Sequence, residues 1–205
     1  MNGLEAQSLG TSGKVGSSGK VVGVLRSGRL LLEFSTQVGR LAQALQYVGE
    51  EETVTLLESV EGTDEDWPPS PPYQQLSVEP TAEGGEIAFL VGMAGRSHWS
   101  ASIQPLEQGF LFEVACRARE QPEQLGSIYR LGETCQAIQS NSEPQRINRL
   151  TLPQGALIIH CLDQQPPATI AWDQRACRVM LPSPPTSLPS TFQWSYRIEF
   201  ETSPS

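Results

Sequence analysis

The run Phe192-Gln193-Trp194-Ser195-Tyr196-Arg197-Ile198-Glu199-Phe200-Glu201 alternates apolar and polar side chains without a break. Successive side chains of a strand point to opposite faces, so this pattern buries one face and wets the other. A helix would scatter the same five apolar residues around its circumference. Aromatic residues also favour strand. A long half-buried strand needs neighbours, and the chain supplies them.

In Ile87-Ala88-Phe89-Leu90-Val91-Gly92-Met93 nearly every position is apolar, as in a strand covered on both sides. Ala94-Gly95-Arg96-Ser97 turns the chain into a second run, where Trp99, Ala101 and Ile103 share one face. His98, Ser100, Ser102 and Gln104 share the other. Two such runs joined by a short Gly-containing loop form a hairpin. Further strands are expected over 29–36, 54–60, 73–78, 110–118, 156–161, 169–173 and 176–181. Residues 37–48 are ambiguous: Val38, Leu41, Leu45 and Val48 fall at helical spacing, but the all-strand context favours a β-meander.

Some eleven strands without crossover helices imply antiparallel pairing. So many strands rarely stay in one open sheet, which predicts an all-β, two-sheet antiparallel sandwich or a partly closed barrel. Eighteen Gly and 16 Pro in 205 residues suit such a turn-rich protein. Residues 1–20 read as a Gly/Ser-rich disordered leader, and 21–205 as a single domain.

Charge and cysteine narrow the function classes. A net charge of −9 argues against a nucleic-acid partner, which needs clustered cations. Beyond Lys14 and Lys20 every basic residue is Arg. Cys116, Cys135, Cys161 and Cys177 form no CxxC pair, and the first, third and fourth alternate with apolar residues as core thiols. Two histidines exclude a His-rich metal site. No apolar run is long enough to span a bilayer, so a soluble cytoplasmic protein is expected, with no membrane partner and no cofactor.

The chemistry-bearing candidates cluster in two loops. The first is the acidic knot Asp64-Glu65-Asp66 running through Trp67 into Pro68-Pro69-Ser70-Pro71-Pro72-Tyr73. Prolines hold such a stretch near polyproline II, either as a docking segment or as a stiff connector across one end of a sandwich. Its carboxylates do not match a calcium-loop pattern, and no metal is expected. The second is the Arg96-Ser97-His98-Trp99 hairpin, where His98 on the polar face is a candidate acid, base or ligand. Tyr129 and Arg130 are possible neighbours. His160 reads as a semi-buried structural residue. A Ser/His hydrolase lacks the G-x-S-x-G elbow here. Trp67 and Trp172, each beside an aspartate, are the better exposed candidates for stacking on sugar rings, whereas Trp99 and Trp194 sit on apolar faces.

Leu56-Leu57-Glu58-Ser59-Val60-Glu61-Gly62, then Asp66-Trp67-Pro68-Pro69-Ser70-Pro71-Pro72, then Val91-Gly92-Met93-Ala94-Gly95-Arg96-Ser97-His98-Trp99-Ser100 resembles a family of conserved hypothetical bacterial proteins. The similarity extends through Val114–Arg117 and Leu125–Arg130, about half the chain, and implies no catalytic residues. The layout is also loosely similar to sugar-binding sandwiches such as the mutarotase-like group, a likeness of fold alone.

These readings lead to a non-catalytic binding module. Its surface would comprise Asp64, Asp66, Trp67, Tyr73, Arg96, His98, Tyr129 and Arg130, and carbohydrate is the first ligand class to test. One alternative is a carbohydrate-active enzyme using His98 with Glu61, Asp64 or Asp66 as acid and base, Glu58 being a further carboxylate for paired-acid chemistry. Another is a structural or assembly protein that contacts a protein partner through edge strands or the proline ladder.

Overall fold

Alternation along the chain becomes two stacked sheets. The computed structural model describes residues 19–62, 66–82, 84–133, 135, 145–152, 155–163, 167–172, 175–182 and 187–202. Among them are fourteen strands and no helix. The first sheet runs, in spatial order, β1 (Val21–Ser27), β2 (Leu30–Gln37), β3 (Arg40–Val48), β4 (Thr53–Ser59), β9 (Gly126–Leu131), β13 (Ala176–Met180) and β12 (Thr169–Trp172). The second runs β10 (Ile147–Leu152), β11 (Gly155–Cys161), β14 (Ser190–Thr202), β8 (Gly109–Ala118), β7 (Ser97–Leu106), β6 (Glu86–Ala94) and β5 (Tyr73–Pro80). Every pair is antiparallel. The sheets pack as a sandwich and do not close into a barrel. Each begins as a four-strand meander, β1 to β4 in one and β5 to β8 in the other, and is extended by three later strands.

The eleven expected strands all form, and three more join them: β1, β9 and β10. β1 is interrupted by Gly23, which lets the Leu76 side chain approach its backbone. β9 is short and opens on Gly126 and the buried Ser127. In β10 the alternation is inverted, with Asn148 buried and Ile147 exposed. Each lacks the clean apolar face that marks a strand in sequence.

The ambiguous stretch 37–48 is a hairpin. Val38 and Gly39 have φ of 38° and 78°, which joins β2 to β3 through a two-residue turn with both central residues left-handed. The helical spacing counted Val38 as apolar-face, whereas it stands 92% exposed at the turn tip. Leu41, Leu45 and Tyr47 then point inward at strand period.

Between the sheets lie the inward aromatics of β14: Phe192, Trp194, Tyr196 and Phe200, all buried. Tyr196 stacks on Phe112 of β8 with ring centroids 4.8 Å apart, and Trp194 meets Trp99 edge-on at 6.1 Å. Such pairs add to the area-proportional gain of burying large rings. At one end of the sandwich, Ser27 Oγ donates to Leu106 O (2.7 Å) and accepts from Gly109 N–H (2.7 Å), which ties the two sheets through one hydroxyl.

Residues 1–18 of the leader lie outside the described residues; Lys20 pairs with Thr36 beside β2. No helix among the described residues is long and apolar enough to cross a membrane.

Val38 is a β-branched residue in left-handed conformation, a costly choice where Asn or Gly is ordinarily found. Val38→Asn is expected to stabilise the protein by about 1 kcal/mol. Urea unfolding of the two proteins checks this.

Candidate functional site

β6 differs from its sequence reading in a way that creates a surface. Its near-continuous apolar run predicts cover on both faces, yet only Ala88, Leu90 and their alternates are buried. Phe89, Val91 and Met93 project outward, 40%, 46% and 45% exposed. No described element covers them because β5 to β8 form one outer layer of the sandwich.

Register carries this apolar ledge across the sheet. Met93 lies opposite His98, which lies opposite Arg117, which pairs with Thr191. One row further, Val91 faces Ser100, then Ala115, then Gln193. The next row is Phe89, Ser102, Glu113 and Ser195. Ser100 and Ala115 are small, so the middle row is low and leaves a groove of about 500 Å³ walled by Gln74, Gln75, Met93, His98, Arg117 and Thr191. A second depression of about 300 Å³ continues it toward Phe89 and Glu113 and shares Ser100 and Ala115. Ser102 Oγ donates to Glu113 Oε2 at 3.0 Å. Arg117 makes no ion pair among the described residues, which leaves its planar fork available to a ligand acceptor.

The two loops singled out in the sequence meet at one end of this groove. An added Cβ at Gly95 would approach Asp66 Oδ1 to 2.8 Å, so the acidic loop packs against the hairpin turn. The Trp67 and Trp99 rings contact edge-on at 6.3 Å. Pro68, Pro71 and Pro72 are buried, and Ser70 Oγ donates to Ile128 O (2.8 Å) while accepting from Ile128 N–H (3.1 Å). Gln124 Nε2 donates to Trp67 O at 3.2 Å. The proline ladder is therefore a strapped-down connector from β4 in one sheet to β5 in the other. Gly92 faces its end closely enough that a Cβ would overlap the Pro72 carbonyl.

The remaining candidates fall in different places. Arg96 pairs with Glu120 at 3.5 Å, both exposed. Tyr73 is buried in the core at 2% exposure, as is Tyr129 at 5%. Arg130 points from the outer face of the first sheet and donates to Glu58 Oε2 at 2.9 Å. Asp64 and Asp173 lie outside the described residues. Trp67 and Trp172, read as exposed stacking candidates, are instead buried at 9% and 2%. Local aspartates suggested solvent there, but ring burial against Trp99 outweighs them for Trp67.

A second polar locus lies inside. Gln43, Ser59, Glu61, Ser70, Ser127 and three tyrosines surround a cavity of about 10 Å³ between the sheets. Tyr129 and Tyr196 hydroxyls are 2.5 Å apart. Burial raises both tyrosines, with Tyr73, well above their ordinary value of 10.0. Glu61 is pushed up to about 7, chiefly by burial; the Ser59 hydrogen bond and the charge of Arg40 oppose the shift.

Acid–base catalysis at His98 finds no partner in its own row. Glu113 pairs with Ser102, four residues along β7, or about 13 Å of strand from His98. Cys116, Cys161 and Cys177 are buried free thiols, and burial raises Cys116 to about 12 and Cys161 to about 11, away from nucleophilic thiolate. Among the described residues no group of three or more His, Cys, Asp or Glu is placed to hold a metal ion. The chain matches no protein-family model, and no curated protein is similar to it in sequence.

The groove residues Gln74, Gln75, Ala115, Arg117 and Thr191 were not candidates in the sequence, whereas Ser100 was placed on the polar face with His98. The one signal for them was the excess of apolar residues in β6, which required either cover or a ligand-facing ledge.

Trp67 behaves as an anchor. Trp67→Ala is expected to cost about 3 kcal/mol of stability, as for other large-to-small changes in cores. Thermal unfolding of both proteins, followed by near-UV circular dichroism of the Trp99–Trp194 pair that both retain, measures this.

Proposed function

We propose that the protein is a non-catalytic binding module that recognises carbohydrate along the outer face of the second sheet. The observation that carries this reading is the groove across β5, β6, β7, β8 and β14. It joins an uncovered ledge of Phe89, Val91 and Met93 to a row of hydroxyl, amide, imidazole and guanidinium groups. A sugar presents the same combination, with C–H faces for the ledge and hydroxyls for the polar rim. Individual neutral hydrogen bonds contribute only about 1 kcal/mol each, so recognition depends on several acting together. Arg117 adds a charge-assisted partner for a sugar carboxylate.

The buried tryptophans remove the stacking platform expected from Trp67 and Trp172, and Phe89 is the aromatic surface left to this groove. Three free core thiols, Cys116, Cys161 and Cys177, fit a reducing compartment, which supports a cytoplasmic location.

A glycan array with neutral and carboxylate-bearing oligosaccharides, followed by titration calorimetry, tests the reading. Arg117→Ala and His98→Ala are each expected to weaken binding by about fivefold or more, the loss of roughly one hydrogen bond. Arg130→Ala, on the opposite sheet, is expected to leave affinity unchanged. Failure of every glycan to bind, or equal losses in all three variants, contradicts it.

A further inference from the structure

Both histidines of the chain stand opposite an arginine on the outer face of the second sheet. In the groove the row runs Met93 on β6, His98 on β7 and Arg117 on β8. From the other side of the sheet a second row runs Ile147 on β10, His160 on β11 and Arg197 on β14. Alternation sets its direction. Ile159 and Cys161 are buried in the core, as are Tyr196 and Ile198, so His160 and Arg197 face outward. Each row thus leads from an exposed apolar residue, Met93 or Ile147, through histidine to an arginine on one of two adjacent strands.

Those strands, β8 and β14, are antiparallel, and the opposed residues Val114 and Trp194 mark a local two-fold axis between the rows. Arg117 and Arg197 each lie three residues beyond that pair. Six residues of strand separate the two rows, or about 20 Å. Arg197 Nε is buried without a hydrogen-bond partner, and Arg197 makes no ion pair among the described residues. An unpaired buried donor is costly, and a ligand acceptor satisfies it.

The face between the rows carries the opposite charge. Glu113 projects there from β8, exposed and bonded to Ser102. Glu199 follows two residues past Arg197. These carboxylates repel an anion placed anywhere but on the arginines, and the net charge of −9 disfavours dense polyanions.

We propose, on the carbohydrate reading of the groove, that Arg197, His160 and Ile147 form a second subsite. Both subsites then hold one acidic polysaccharide chain, whose carboxylates are separated by neutral sugar units. Each arginine forks onto one carboxylate, each histidine bonds a neighbouring hydroxyl, and Met93 and Ile147 meet C–H faces. Glu113 accepts hydroxyls of the neutral units and rejects a chain charged at every unit. Two contacts on one ligand raise affinity only when the chain spans both.

Titration calorimetry with three oligosaccharide series of increasing length tests this: alternating uronic acid and neutral units, uronic acid at every unit, and neutral units throughout. Affinity is expected to rise by about tenfold or more once alternating chains are long enough to span the two rows. Arg197→Gln is expected to remove that rise, and His160→Ala to reduce it, while disaccharide binding in the Arg117 groove stays unchanged. A rise with length that survives in both variants overturns the second subsite and leaves the groove reading intact. So does tightest binding by chains charged at every unit, or binding of neutral chains alone. Failure of all three series to bind overturns the groove reading itself, and the second subsite with it.

Discussion

The sandwich depends on the inward face of β14. Trp194 and Tyr196 sit fully buried in the middle of the second sheet, against Trp99 and Phe112 on its own side and Tyr129 from the first sheet. Because β14 is central, with β8 on one edge and β11 on the other, these rings are surrounded on all sides. The Tyr129–Tyr196 hydroxyl pair also gives the interface a polar contact that apolar packing alone does not specify.

The proposed binding site is placed by what this core leaves over. One face of each strand in the second sheet is spent on the interior, so the other face is free to vary in height and polarity. Tall residues on β6 and small ones on β7 and β8 turn that face into a groove. The connector adds rigidity at one end, since its prolines are packed and Ser70 is bonded twice to Ile128. The proposed recognition surface is built on strands, where side-chain positions are held more firmly than on long loops. The connector contributes a wall, through Gln74 where it ends, and an anchor, through Trp67.

Fold was more legible in the sequence than site. Alternation in 192–201 and 98–104 translates directly into inward and outward faces, because a strand's side-chain period does not depend on context. The same rule failed where polarity was inverted, as at Asn148 and Ile147, or where glycine broke the run, as at Gly23. The meeting of residues 66–73 with the Arg96 turn was not readable, since it depends on β5 pairing with β6 and on Gly95 lacking a side chain. Nor was the burial of Trp67 readable, because nothing local says which surface a ring will find. The groove was invisible for a related reason: Met93, His98, Arg117 and Thr191 become neighbours only through three successive registers. Glu61 was one carboxylate among several until its burial set it apart.

The central claim is that ligand binds on the outer face of the second sheet. Amide chemical-shift mapping on isotope-labelled protein, with a bound oligosaccharide added stepwise, addresses it most directly. The account predicts shifts concentrated at Val91, Met93, His98, Ser100, Ala115, Arg117 and Thr191, with the first sheet unmoved. Shifts centred instead on Glu58 and Arg130, or spread evenly over both sheets, contradict it.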